Sequence, residues 1–116
     1  MSIQRFVFGK TSSGEGVDQF VLSNENGLAA KVITFGATLT SLISPDRHGR
    51  PEEIILGYDN LEGYLLPHPY FGSTVGRFAN RIARGKFSID GKVYQVACND
   101  NGNHLHGGNV GFNQRL

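Results

Sequence analysis

Glycine placement is the feature that most limits how this chain can fold. Sixteen glycines are spread along it, about twice the usual share of roughly 7%. Many sit beside Asp, Asn or Arg, as in Asp46-Arg47-His48-Gly49 and Asp90-Gly91. Such clusters punctuate turns, so a chain interrupted this often predicts a turn-rich β protein rather than a helical one. The glycines are too dispersed, and too mixed with Val, Ile, Phe and Tyr, for a low-complexity or disordered segment.

Between the turns lie short runs with strand character. Residues 5–9 alternate polar and apolar, and residues 18–22 resume after the loop at 12–16. Residues 28–35 and 38–43 are rich in β-branched side chains, and Ile54-Ile55-Leu56 is expected to be a short buried strand. The clearest local signal is Asp90-Gly91, which predicts a two-residue type I′ turn joining 87–89 to 92–96. Asp59 is expected to cap one helical turn at 59–64. Residues 67–72 must be extended or irregular around Pro67 and Pro69. Arg77, Arg81 and Arg84 fall at helical spacing, but the segment is short and bounded by glycine, so an ordered loop is expected.

At 116 residues the chain has room for one small domain, with no internal repeat or linker. Its net charge of +1 gives no strong electrostatic attraction to nucleic acid or an anionic membrane. No apolar run has the length of a signal peptide or a bilayer span. Cys98 is the single cysteine, so no intrachain disulfide forms, and a reducing compartment, the cytoplasm, is expected. Residues 109–116 bring no final strand. That predicts either an incomplete sandwich with uncovered faces, poorly soluble or oligomeric by itself, or a small self-sufficient one.

Two polar clusters stand out. In an extended segment His104 and His106 would share a face with Leu105 opposite, an arrangement that cupin-like barrels use for a metal. The following residues 107–114 contain no Asp or Glu, so a third ligand is lacking locally. The pair Gly107-Gly108 points to a close approach to the backbone. In the second cluster, Asn80 and Arg81 offer the mixed donors and acceptors that suit a ligand dense in hydroxyls, with Tyr70, Phe71 and Phe78 as apolar flanks. Residue types alone favour the plainer reading, with Arg81 and Arg84 as a solvated or salt-bridged face and Asn80 as a turn residue. His48 reads as a solvated turn residue. His68, between two prolines, reads as packed rather than in contact with a ligand. Gly72, Gly76 and Gly85 fit no phosphate-loop pattern.

Taken together, these motifs resemble the galactose mutarotase (aldose 1-epimerase) family. The resemblance rests on Leu56-Gly57-Tyr58 with Leu61-Glu62-Gly63-Tyr64, and on Pro69-Tyr70-Phe71-Gly72. It rests also on Gly76-Arg77-Phe78-Ala79-Asn80-Arg81-Ile82-Ala83-Arg84-Gly85, and on Asn103-His104-Leu105-His106-Gly107-Gly108 followed by Gly111-Phe112. It covers essentially the whole chain, aligned to the N-terminal third of a family member. It implies an all-β, antiparallel β-sandwich of the galactose mutarotase-like supersandwich type. Residues 1–116 would form the N-terminal part of a single domain. The implied activity, part of hexose metabolism, interconverts the α and β anomers of galactose and glucose, with no cofactor or metal. A carboxylate takes the proton from the C1 hydroxyl while an acidic histidine protonates the ring oxygen. Asn80, Arg81 and His106 match positions that hydrogen-bond the sugar. The acid histidine and base glutamate of the family lie downstream of the segment aligned with Phe112. The chain read to Leu116 is therefore expected to lack them, and one histidine cannot serve as both acid and base. A truncated, non-catalytic sugar-binding product is the alternative.

Overall fold

The computed structural model describes residues 1–67 and 69–116; the expectation for His68 lies outside the described residues. The chain divides into two compact units, residues 1–74 with Leu116 and residues 75–115. Among the described residues no helix is long and apolar enough to cross a membrane.

The first unit is built on an antiparallel meander of five strands in chain order: β1 (Ser2–Lys10), β2 (Gly16–Ser23), β3 (Ala29–Ile33), β4 (Thr38–Pro45) and β5 (Pro51–Glu53). Two of its turns use the same device. The Asn24 side chain accepts from the amides of Asn26 and Leu28, both at 3.0 Å, and Gly27 follows at φ 83°. Asp46 accepts from the amides of His48 and Arg50 at 2.7 and 2.9 Å, and Gly49 follows at φ 79°. An Asx side chain opens each turn and glycine takes the left-handed position, the chemistry that the glycine placement predicts. His48 is exposed in its turn, where its Nε2 accepts from the Arg47 Nε–H at 3.0 Å.

The expected runs at 5–9, 18–22 and 38–43 all lie within strands, each longer than expected. The run at 28–35 is cut short: β3 ends at Ile33, and Phe35–Ala37 forms a 3-10 turn with Gly36 at φ 68°.

The short buried strand expected at Ile54-Ile55-Leu56 does not form. The edge strand β5 lies just before it, and Ile54 and Leu56 are 57% and 71% exposed. The cause is the Glu53 carboxylate, which accepts from the Ser41 hydroxyl at 2.5 Å and from the Leu42 amide at 2.7 Å, with a longer contact to the Ile55 amide at 3.4 Å. A side chain thus takes the donors that a continuing strand would need, and the ladder stops.

The cap of the short helix also differs from expectation. Helix α1 (Leu61–Leu65) is capped by Asn60, whose side chain accepts from the Gly63 amide at 3.2 Å, and not by Asp59. Its apolar side chains Leu61 and Tyr64 close a core with Val17, Ile33 and Phe35, flanked by Phe8 and Tyr58. Tyr58 meets Tyr64 edge-on, with centroids 5.2 Å apart, and the Tyr64 hydroxyl accepts from the Tyr58 amide at 2.8 Å. A buried hydroxyl with a partner costs little, whereas an orphan would cost about 1–3 kcal/mol.

The second unit contains β6 (Arg81–Ile82), paired with β9 (His104–Leu105), and the hairpin β7 (Lys86–Ile89) with β8 (Lys92–Gln95). The hairpin follows expectation. Asp90 and Gly91 both have positive φ, 49° and 78°, as a type I′ turn requires. Phe87 lies opposite Tyr94 and stacks on it at 5.4 Å.

The hydrogen bonds from Ser41 and Leu42 hold the Glu53 carboxyl below the usual carboxylate range. With its folded pKa lowered, Glu53 contributes stability that is present above its unfolded pKa of about 4.3 and lost as pH falls through the folded value. Hydrogen exchange at Leu42 and Ile54, corrected for intrinsic rates, is therefore expected to show a loss of protection in acid. Glu53→Gln should lack that step, and an identical acid profile in the variant would contradict this assignment.

Candidate functional site

The three residues expected to contact a ligand come together in the second unit. The Asn80 amide donates to His106 Nδ1 at 3.0 Å, and the His106 amide donates to the Asn80 carbonyl at 3.1 Å. This reciprocal pair extends the short β6–β9 ladder, in which Arg81 lies opposite Leu105 and Ile82 opposite His104. Arg81 donates from Nε to Asp100 Oδ2 at 2.7 Å and from Nη1 to Asn80 Oδ1 at 3.4 Å. The salt-bridged and turn readings are what the structure displays: Arg81 is paired with Asp100, and Asn80 sits in a left-handed turn at φ 62°, bonded to His106.

The two histidines do not share a face. Strand β9 ends at Leu105 and His106 takes φ 48°, so the alternation of an extended segment stops before it. His104 is buried, and its Nδ1 lies 2.9 Å from the Ala97 carbonyl, which can only accept. His104 thus carries its proton on Nδ1, whereas neutral His106, accepting at Nδ1, carries its proton on Nε2. The two rings therefore take opposite tautomers. Among the described residues, no group of three or more His, Cys, Asp or Glu could hold a metal ion.

The glycine pair after His106 has a local explanation. Gly107 has φ 92°, and a Cβ there would collide with the Gly76 carbonyl oxygen. That same oxygen accepts from the Phe112 amide at 3.2 Å. The close approach inferred at this pair is that of the chain itself, backbone at Gly107 and the His104 ring at Gly108. The arginines at helical spacing form no helical face. Arg77 lies over the Phe112 ring at 5.3 Å, while Arg81 belongs to β6. Of the aromatic flanks, Phe71 packs on Tyr58 within the first unit, and Phe78 is exposed in the second.

Three residues to which the sequence reading assigned no role of their own do much of the positioning. Asn99 accepts from the Leu105 amide at 2.8 Å and donates to the carbonyls of Leu105 and Gly108 at 3.0 and 3.2 Å. It therefore grips the loop on both sides of His106. Asn103 accepts from the Arg84 amide at 3.0 Å, and Asp100 holds Arg81. A signal for this was present in Asn101-Gly102. Both have positive φ, and Asp100 and Asn103 exchange amide–carbonyl bonds at 3.0 and 2.7 Å around them. An Asn-Gly turn of this type folds 97–100 back beside 103–106.

Asn99→Ala is expected to cost about 1–2 kcal/mol by removing these bonds and to loosen the His106 loop selectively. Amide exchange at Leu105 and His106 should accelerate well beyond that of the β7–β8 hairpin. A uniform change across both would argue against a local clamp.

Known proteins resemble this chain along most of its length. A family model described as Aldose 1-epimerase matches residues 18–115. The chain is 48% identical over 117 residues to galactose mutarotase of Bos taurus, a match covering all of this chain and 34% of that protein. It is 35% identical over 103 residues to an aldose 1-epimerase of Lactobacillus helveticus, covering 87% of this chain and 76% of the relative. The crystal structure of galactose 1-epimerase from Lactobacillus acidophilus NCFM superposes with a TM-score of 0.81 at 29% identity, covering 99% of this chain and 32% of that one. The chain spans about a third of the length of the galactose mutarotases it matches, and it shares the all-β, mainly antiparallel fold of the solved epimerase. On these grounds the chain belongs to the aldose 1-epimerase family.

Proposed function

We propose that this protein acts in aldose 1-epimerisation, interconverting the α and β anomers of an aldohexose such as galactose or glucose in hexose metabolism. Asn80, Arg81 and His106 are the sugar-contacting residues, and residues 1–116 are the N-terminal part of one epimerase domain. The observation that carries this is the convergence of the three residues through the Asn80–His106 bonds and the Arg81–Asn80 contact. The roles they offer are complementary. Arg81 supplies planar N–H donors, the Asn80 amide both gives and accepts, and His106 adds an imidazole held in place by Asn80. A sugar hydroxyl needs partners of both kinds, and a preformed array loses little entropy on binding. A cytoplasmic location goes with this proposal, supported by the exposed, free thiol of Cys98.

One observation favours a second reading, a sugar-binding product without catalysis. Asp100, the carboxylate bonded to Arg81, is held by that pairing and is poorly placed to take a proton from a sugar hydroxyl. The 116-residue chain is expected to bind galactose weakly, with binding lost in Asn80→Ala and His106→Ala by ligand-observed NMR. In polarimetry of freshly dissolved α-D-galactose it should run no faster than an inert-protein control. Absence of galactose binding would overturn the assigned site. A clear acceleration abolished by His106→Ala would place the complete reaction within these residues.

A further inference from the structure

Residues 75–115 carry six cationic side chains (Arg77, Arg81, Arg84, Lys86, Lys92 and Arg115) against two acidic ones, Asp90 and Asp100. A region of this charge, with an exposed arginine at its polar cluster, would ordinarily suit an anionic ligand. A guanidinium pairs with carboxylate or phosphate through parallel, charge-assisted hydrogen bonds. The two acids are placed very differently. Asp90 forms the exposed hairpin turn between β7 and β8. Asp100 accepts from Arg81 Nε at 2.7 Å, and its side chain is only 23% exposed while that of Arg81 is 54% exposed.

We propose that Asp100 is a specificity-determining residue, which makes the Arg81 end of the site select a neutral, hydroxyl-bearing sugar over an acidic one. This rests on the sugar-binding assignment above. Asp100 does two things at once. It cancels the guanidinium charge, and it occupies the Nε edge, which turns the Nη groups into donors for uncharged oxygens. A carboxylate or phosphate on the ligand would meet the Asp100 charge as well as that of Arg81. The Asn101-Gly102 turn fixes the Asp100 backbone through its paired bonds with Asn103, which sets where the carboxylate starts from.

The test compares galactose with galacturonate, which differ by a C6 carboxylate. Dissociation constants are measured by NMR titration for the wild-type chain, Asp100→Asn and Asp90→Asn at low and high salt. The wild type is expected to bind galactose more tightly. In Asp100→Asn the ratio should move toward galacturonate by about three- to fivefold at low salt, the scale of an exposed charge pair, and by less at high salt. Asp90→Asn removes an equal charge from the same unit and should leave the ratio unchanged. A wild type that prefers galacturonate would overturn the inference even if Asp100→Asn failed to fold. So would an unaltered ratio in folded Asp100→Asn, or an equal shift in Asp90→Asn. Binding of neither sugar by the wild type would instead overturn the sugar site itself, and the inference with it.

Discussion

The reciprocal hydrogen bonds between Asn80 and His106 are the constraint on which the site depends. They join residues 26 positions apart, and they do so where both chains have left extended geometry, at φ 62° and 48°. A regular ladder would have paired backbone with backbone and turned successive side chains to opposite faces. Here the ring of one residue takes the amide of the other, which fixes the imidazole tautomer and sets Asn80 and Arg81 beside it. The left-handed residues that follow, Gly107 and Gly108, carry the chain away past Gly76.

Around that pair, positioning is carried by side chains bonded to backbone rather than by an apolar core. Asn99 and Asn103 satisfy backbone groups in the turns, and buried His104 anchors the strand through the Ala97 carbonyl. Such a lattice is directional where hydrophobic packing is not, and a hydroxyl-rich ligand is told from others by direction. The first unit works differently. Its core of Val17, Ile33, Phe35, Leu61 and Tyr64 packs α1 against the sheet, and its polar devices sit mainly at strand ends and turns.

Much of the fold was legible because its signals are local. Asp90-Gly91 specifies its own turn, and alternation in residues 5–9 and 18–22 marks strands wherever the partners lie. The failures share one cause. Ile54-Ile55-Leu56 has the composition of a strand, but Ser41 and Leu42, distant in sequence, engage Glu53 and end the ladder. His104 and His106 have the spacing of a shared face, but His106 leaves the strand under a bond from Asn80. At the site, residue types alone favoured turn and salt-bridge roles for Asn80 and Arg81, and the family resemblance supplied the functional weight. Asp100 and Asn99 could not be matched to Arg81 and the His106 loop without knowing how 97–106 folds back. The Asn101-Gly102 dipeptide was the available clue to that fold.

The most direct test of this account is the through-hydrogen-bond coupling between the Asn80 amide nitrogen and His106 Nδ1, measured on the isotopically labelled protein without and with galactose. A preformed site predicts a resolved coupling in the free protein that persists when galactose saturates it, with the His106 Nε2–H resonance shifting. No coupling in the free protein, together with a protonated Nδ1, would contradict the account at its centre.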